Sequence, residues 1–209
     1  MPETCTTIGK ATFGNCPNLT DVHPTSQLTK LESQCFSTRS TFGILHFPNV
    51  TAGAEMFSSL GSTTTTVRQV YLPKLLGGSS GYSQPGNAYY HAGLFDNLTT
   101  DLLYLRDLNY LSGCAFVFSN INSLVIDNVT PPTLHNYGGK TDEEFSEYLD
   151  KNPNYLGSKS DLFFKANITN IYVPDSAVNT YKTTAVWSDK ADIIKPISEL
   201  TKVATEEDL

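Results

Sequence analysis

Long apolar runs are missing from this chain. No stretch approaches the roughly 18 consecutive apolar residues of a transmembrane helix, so membrane insertion is not expected. Positive charge is scarce as well: 14 Lys and Arg stand against 21 Asp and Glu, a net charge of −7. Phosphate binding needs a basic footprint, which argues against nucleic acid and against an anionic membrane surface. The opening MPETCTTIGK lacks a basic segment followed by an apolar one, so no signal peptide is expected there. Cysteines are few (Cys5, Cys16, Cys35, Cys114), with no CxxC pair and no zinc-ligand spacing. Small buried thiols are one reading and a Cys5–Cys16 disulfide the other.

The chemistry of catalysis is equally thin. The histidines (His23, His46, His91, His135) are scattered without HExxH or HxH spacing, and no GxSxG elbow occurs. The GGKT at 138–141 resembles the end of a phosphate loop, but Leu134 stands where that loop needs its first glycine. No catalytic residues, no metal site and no cofactor are expected, and the chain reads as non-enzymatic.

What is present is a repeat. At 39% hydrophobic residues over 209 positions the chain can fill one core or one continuous stack. Six segments share an apolar position followed by others three and five residues on: LTDVHP (19–24), FGILHFP (42–48), VRQVYLP (67–73), TDLLYLR (100–106), INSLVID (121–127) and ITNIYVP (168–174). Such alternation predicts short strands with one buried face, and a terminal Pro stops the pairing. The second position reads Val22, Leu45, Val70, Leu103, Leu124 and Ile171; the third reads Phe47, Leu72, Leu105, Ile126 and Val173 in the last five. The segments start 23, 25, 33, 21 and 47 residues apart. Leucine-rich repeats run about 20–29 residues, and the two long intervals fit a coil carrying an insertion.

Between these segments, small and aromatic residues recur. PETCTTIGKATFGNCPNLTDV (2–22) is echoed by LTKLESQCF (28–36), AGAEMF (52–57), HAGLFDNL (91–98) and LSGCAFVFSNI (111–121). This wording resembles the BspA-like leucine-rich repeat family, with Pro2, Ile8, Gly9, Ala11, Phe13, Cys16, Leu19 and Thr20 all in place. The resemblance spans roughly residues 1–187 and implies a β-rich solenoid, a right-handed coil with inward-wedged rings on its convex side. The expected organisation is a leucine-rich-repeat solenoid over 1–174, interrupted at 76–91 and 131–164, a C-terminal helical cap over 175–196, and an acidic tail over 197–209. The cap helix is expected to start near Asp175 or Ser176 with Val178 and Tyr181 on one face, covering the last coil's core, with Ala185 following and Trp187 just after it supplying the buried area. Because an open coil end exposes core, upstream repeats or a partner should cover the N-terminal edge.

The first insertion carries Tyr82, Tyr89 and Tyr90 on a Gly/Ser/Pro-rich loop, a candidate ligand contact or a locally packed excursion. The second holds a short helix, with a Thr141/Glu144 capping box and Phe145 and Tyr148 on one side, ended at Asn152–Pro153. Its acids Asp142, Glu143 and Glu144 suit a helix N-terminus better than Ca²⁺. Five Asn-x-Thr triplets (Asn18, Asn49, Asn97, Asn128, Asn167) read better as backbone-bonding turn residues than as glycosylation sites.

One constellation points to function. The outward position between the second and third apolar sites reads His23, His46, Tyr71, Tyr104, Val125 and Tyr172, flanked by Arg68, Gln69, Arg106 and Asp107. In register these rings form a ladder, either a platform for a protein or glycan or a stabiliser of the sheet. The resemblance implies an extracellular or cell-surface adhesion module; the absent signal peptide favours the alternative, a phage virion component.

Overall fold

A computed structural model describes residues 1–37, 41–57, 64–79, 93–136, 140–151 and 158–201. In chain order the strands and helices are β1 (Thr7–Ile8), β2 (Lys30–Leu31), β3 (Thr41–His46), β4 (Ala52–Ala54), β5 (Thr65–Leu72), β6 (Gly78–Ser79), β7 (Leu98–Leu105), β8 (Tyr110–Ser112), β9 (Asn120–Ile126), β10 (Thr133–His135), α1 (Asp142–Lys151), β11 (Asn167–Val173), α2 (Val178–Thr183) and β12 (Ile194–Pro196). Among the described residues no helix is long and apolar enough to cross a membrane.

Among the described residues every strand pairing is parallel. The long strands form one six-stranded sheet in the order β12-β11-β9-β7-β5-β3, and the short ones form a β1-β2-β4-β6 ladder and a β10-β8 pair. From β3 to β10 the chain alternates between long and short strands, so each pass lays a strand beside the one laid a pass earlier. This is a repeat fold of parallel sheets with few, short helices.

The apolar spacing read from the sequence is the register of the large sheet. Leu45, Val70, Leu103, Leu124 and Ile171 sit opposite one another, followed by Ile194. The first five are fully buried, as are Phe47, Leu72, Leu105, Ile126 and Val173. Thr100 occupies a core position because its hydroxyl donates to the carbonyls of Arg68 (3.2 Å) and Leu102 (2.9 Å), which satisfies the buried group.

A second periodic device lies between the sheets. Ala11, Gln34, Glu55 and Cys114 each adopt positive φ (42–64°), two residues before Phe13, Phe36, Phe57 and Phe116. A left-handed non-glycine residue costs about 1–2 kcal/mol. Here it turns backbone N–H groups onto the next pass: Phe13 donates to the Cys35 carbonyl (3.0 Å), Phe36 to Met56 (2.9 Å), and Phe95 to Ala115 (2.8 Å). The same turns stack the rings. Centroid separations are 5.5 Å for Phe13–Phe36, 5.7 Å for Phe36–Phe57, 5.5 Å for Phe95–Phe116 and 5.7 Å for Phe116–Phe163. The aromatic residues of the recurring motif, with Phe163, thus form a spine in two stacks, Phe13–Phe36–Phe57 and Phe95–Phe116–Phe163. Glu55 is the exception in chemistry among these turn residues. Its carboxylate is buried and accepts from Ser33 Oγ at 2.8 Å, while Oε1 has no partner among the described residues; burial pushes its carboxyl above the usual range.

Several expectations need correction. Residues 19–24 form no strand: beside β3 they give one long contact, the Gly43 N–H to the Thr20 carbonyl at 3.4 Å, and Pro24 has no N–H to offer. The sixth strand of the sheet is instead β12, whose Ile194, Lys195 and Pro196 pair with Ile171, Tyr172 and Val173. An edge position tolerates Pro196. The C-terminal helix is not capped by Asp175 or Ser176. A 3₁₀ turn over Asp175–Ala177 runs into α2 without a side-chain cap; Asp175 Oδ1 accepts the Ser198 N–H at 3.1 Å, and hydrogen bonding from the Ser198 side chain and backbone holds that carboxyl below its usual range. Tyr181 and Trp187 are fully buried as expected, whereas Val178 is half-buried. No Cys5–Cys16 disulfide forms; Cys35 and Cys114 are buried, and burial pushes the Cys114 thiol up to about 12.

The helix of the second insertion starts as its sequence predicts. The Thr141 N–H donates to Glu144 Oε2 (2.9 Å), and Glu144 N–H to Thr141 Oγ1 (3.2 Å). Buried Asn136 anchors it, donating to the Lys140 carbonyl and Asp142 Oδ1 and accepting the Lys159 N–H. The expected stop at Asn152–Pro153 lies outside the described residues.

Candidate functional site

Side chains on the outer face of the large sheet come from the positions that the core pattern skips. In the register of the strands, His46, Tyr71, Tyr104, Val125, Tyr172 and Lys195 form one cross-strand row. Its rings touch: His46 and Tyr71 lie 6.0 Å apart, edge to face, and Tyr71 and Tyr104 lie 5.9 Å apart. The Tyr104 hydroxyl donates to Asp127 Oδ2 at 2.8 Å, and the Tyr71 hydroxyl to Gln69 Oε1 at 3.4 Å.

The row differs from a fully open ladder. Tyr71 is 3% exposed and Tyr172 8%, and with Leu102 and Val125 they form a small apolar cluster. Ile197 and Leu200, from residues first read as an acidic tail, pack against this cluster, and Ile197–Glu199 is a 3₁₀ turn. His46 and Tyr104 are half-buried. His23 is exposed and outside any strand, so it extends no sheet row. Tyr82, Tyr89 and Tyr90 lie outside the described residues.

A second pair of rows sits nearer the strand starts. Thr41, Thr66, Thr99, Asn120 and Asn167 are in register, and Asn167 Nδ2 donates to Asn120 Oδ1 at 3.0 Å. Two residues further along the strands run Gly43, Arg68, Asp101, Asn122 and Thr169, with Asn122 Nδ2 donating to Asp101 Oδ1 at 2.9 Å. Between the two rows lies a groove of about 300 Å³, floored by Val67 and Thr100. Sequence reading singled out Arg68 only as a flank of the rings. The signal for the whole row was available: each member directly follows the first apolar position of its segment.

This face can bind. The groove carries paired amides, hydroxyls, the Arg68 guanidinium and the Asp101 carboxylate on paired strands, beside the half-buried rings. Among the described residues no group of three or more His, Cys, Asp or Glu could hold a metal ion.

No curated protein matches the chain. The family whose pattern does match is described as BspA type Leucine rich repeat region (6 copies), over residues 1–73. That span, the first 73 of the 209 residues, holds β1 to β5 and the stacked rings Phe13, Phe36 and Phe57, and over it the chain is similar to a BspA-type leucine-rich repeat region.

Proposed function

We propose that this chain is a non-enzymatic recognition module of the extracellular space or cell surface, binding a protein or glycan through the outer face of its large sheet. In this reading the stacked passes form one solenoid over 1–174, with insertions at 76–91 and 131–164. The segment 175–196 caps it, and 197–201 braces its outer face. The observation that carries the reading is the register. It aligns a ring row and two polar rows on successive strands whose backbones are fixed by pairing, so a ligand meets a surface ordered before it arrives. His46 and Tyr104 offer ring surface to the ligand, held on either side of the buried Tyr71 ring. The BspA-type match supports an interaction or adhesion role.

The reading is tested on arrays of purified secreted proteins, cell-surface proteins and glycans. The wild type should bind at least one class saturably. Asn122→Arg, which places a long charged side chain on the outer face at an exposed position, should weaken that binding about tenfold or more with its melting temperature unchanged. Lys182→Glu on α2, away from the face, should bind as wild type does. Equal binding by Asn122→Arg would show that the outer face is not the contact surface.

A further inference from the structure

The polar groove invites a more specific assignment, which rests on the recognition reading above. We infer that it is a subsite for an uncharged saccharide, held by Arg68, Asp101, Asn122 and the Thr66 and Thr99 hydroxyls. Three observations carry this.

The first is the chemistry of the lining. Threonine hydroxyls both donate and accept, a guanidinium only donates and a carboxylate only accepts. Arg68 and Asp101 occupy the same cross-strand row, between the register pairs Val67↔Thr100 and Gln69↔Leu102. A ligand there meets a donor and an acceptor side by side. Neighbouring sugar hydroxyls present that pattern, since each can give one hydrogen bond and take another. The Asn122 bond to Asp101 Oδ1 fixes the carboxylate and leaves Oδ2 to accept from a ligand.

The second is charge. One guanidinium and one carboxylate line the groove, on a chain of net charge −7. Nothing in that balance draws an anion, and a cation would compete with Arg68.

The third is space. A Cβ built on Gly43 would meet only Asp21 Oδ1, at 3.8 Å, so the row is open at its end beside Arg68. The volume of about 300 Å³ falls at the lower end of small-ligand sites. A peptide fits this groove less well. It would need an unpaired strand edge for main-chain pairing or deep apolar pockets for side-chain anchors. Yet the groove lies across β3, β5, β7 and β9, of which β5, β7 and β9 are paired on both sides; on the edge strand β3 the Gly43 N–H is already given to the Thr20 carbonyl, and the floor is Val67 and Thr100.

Glycan arrays and calorimetry with soluble uncharged oligosaccharides (glucose, mannose, galactose and N-acetylhexosamine series) test the assignment, with sialylated and uronic-acid oligosaccharides and a purified-protein array run in parallel. The wild type should bind an uncharged series saturably. Asp101→Asn keeps the shape and the Asn122 partner but turns the ligand-facing acceptor into a donor, and should weaken binding about tenfold or more. Arg68→Ala should do the same, both variants melting as wild type does. Amide shifts on titration should map to 66–68, 99–101 and 120–122. Binding unchanged in both variants, or only acidic sugars bound, would overturn the assignment. Protein binding without saccharide binding would overturn it while leaving the recognition reading intact, and no binding on any array would sink both.

Discussion

Trp187→Ala should lower stability to urea by about 3–5 kcal/mol, a loss large against the roughly 5–15 kcal/mol that holds a typical domain folded. The indole is fully buried at the end of the ring spine. It meets Phe163 edge to face at 5.4 Å and Tyr181 at 5.1 Å, while Phe163 stacks on Phe116 at 5.7 Å. Deleting it opens a cavity between the last pass and the C-terminal segment, which a backbone tied by β12 pairing cannot close. Trp187→Phe separates packing from polarity. The indole N–H has no hydrogen-bond partner among the described residues, so phenylalanine removes an unsatisfied donor and should cost less than half as much. A loss below about 1 kcal/mol for the alanine variant would mean that this ring does not close the spine.

Gly93→Ala should be comparably damaging for the opposite reason. Gly93 precedes Phe95 at the place held by Ala11, Gln34, Glu55 and Cys114 in the other turns. A Cβ there would stand 1.8 Å from the Cys114 carbonyl oxygen and within 3 Å of two further backbone carbons. Those atoms belong to the adjoining pass, whose Ala115 carbonyl accepts the Phe95 N–H at 2.8 Å, so relief would break the ladder. The cost should reach or exceed the upper end of the about 1–3 kcal/mol usual for overpacking. Gly43→Ala, in open space, should stay within about 0.5 kcal/mol. Denaturation midpoints of the two variants provide the comparison. Equal effects would mean that the passes do not approach each other this closely.

The buried columns of the large sheet were legible in the sequence because a period-two strand with one buried face writes its core directly into the pattern, as at Leu45, Val70, Leu103, Leu124 and Ile171. The ring spine was legible in part, since Phe13, Phe36, Phe57, Phe95 and Phe116 sit in recurring motifs. Phe163 was hidden in an insertion whose neighbours do not repeat. β12 was missed because three residues ending in proline carry a single alternation, too little to distinguish from a helix end. The apparent strand at 19–24 had the right spacing but lacked a well-formed ladder. Spacing shows which side chains share a face, and pairing depends on what lies alongside.

The outer face was harder to read. The ring row was visible because its members share one chemistry. The burial of Tyr172 was not, because it comes with Ile197 and Leu200, which no local pattern joins to the strand. The groove row of Gly43, Arg68, Asp101, Asn122 and Thr169 shares no residue type at all, and only register brings its members together. Composition alone made this chain a poor candidate for nucleic acid or a membrane span. The chemistry of its contact face emerged only once the strands were aligned.

Register is therefore the central claim, because a slip of one residue would exchange core and outer face throughout the sheet. Nuclear Overhauser contacts in a methyl-labelled sample measure it directly. They should connect the methyl groups of Leu45 to Val70, Val70 to Leu103, Leu103 to Leu124 and Leu124 to Ile171 in one unbroken series. Contacts that instead place Val70 opposite Leu102 or Tyr104, or that break the series between adjacent strands, would contradict the stack, its ring row and its groove together.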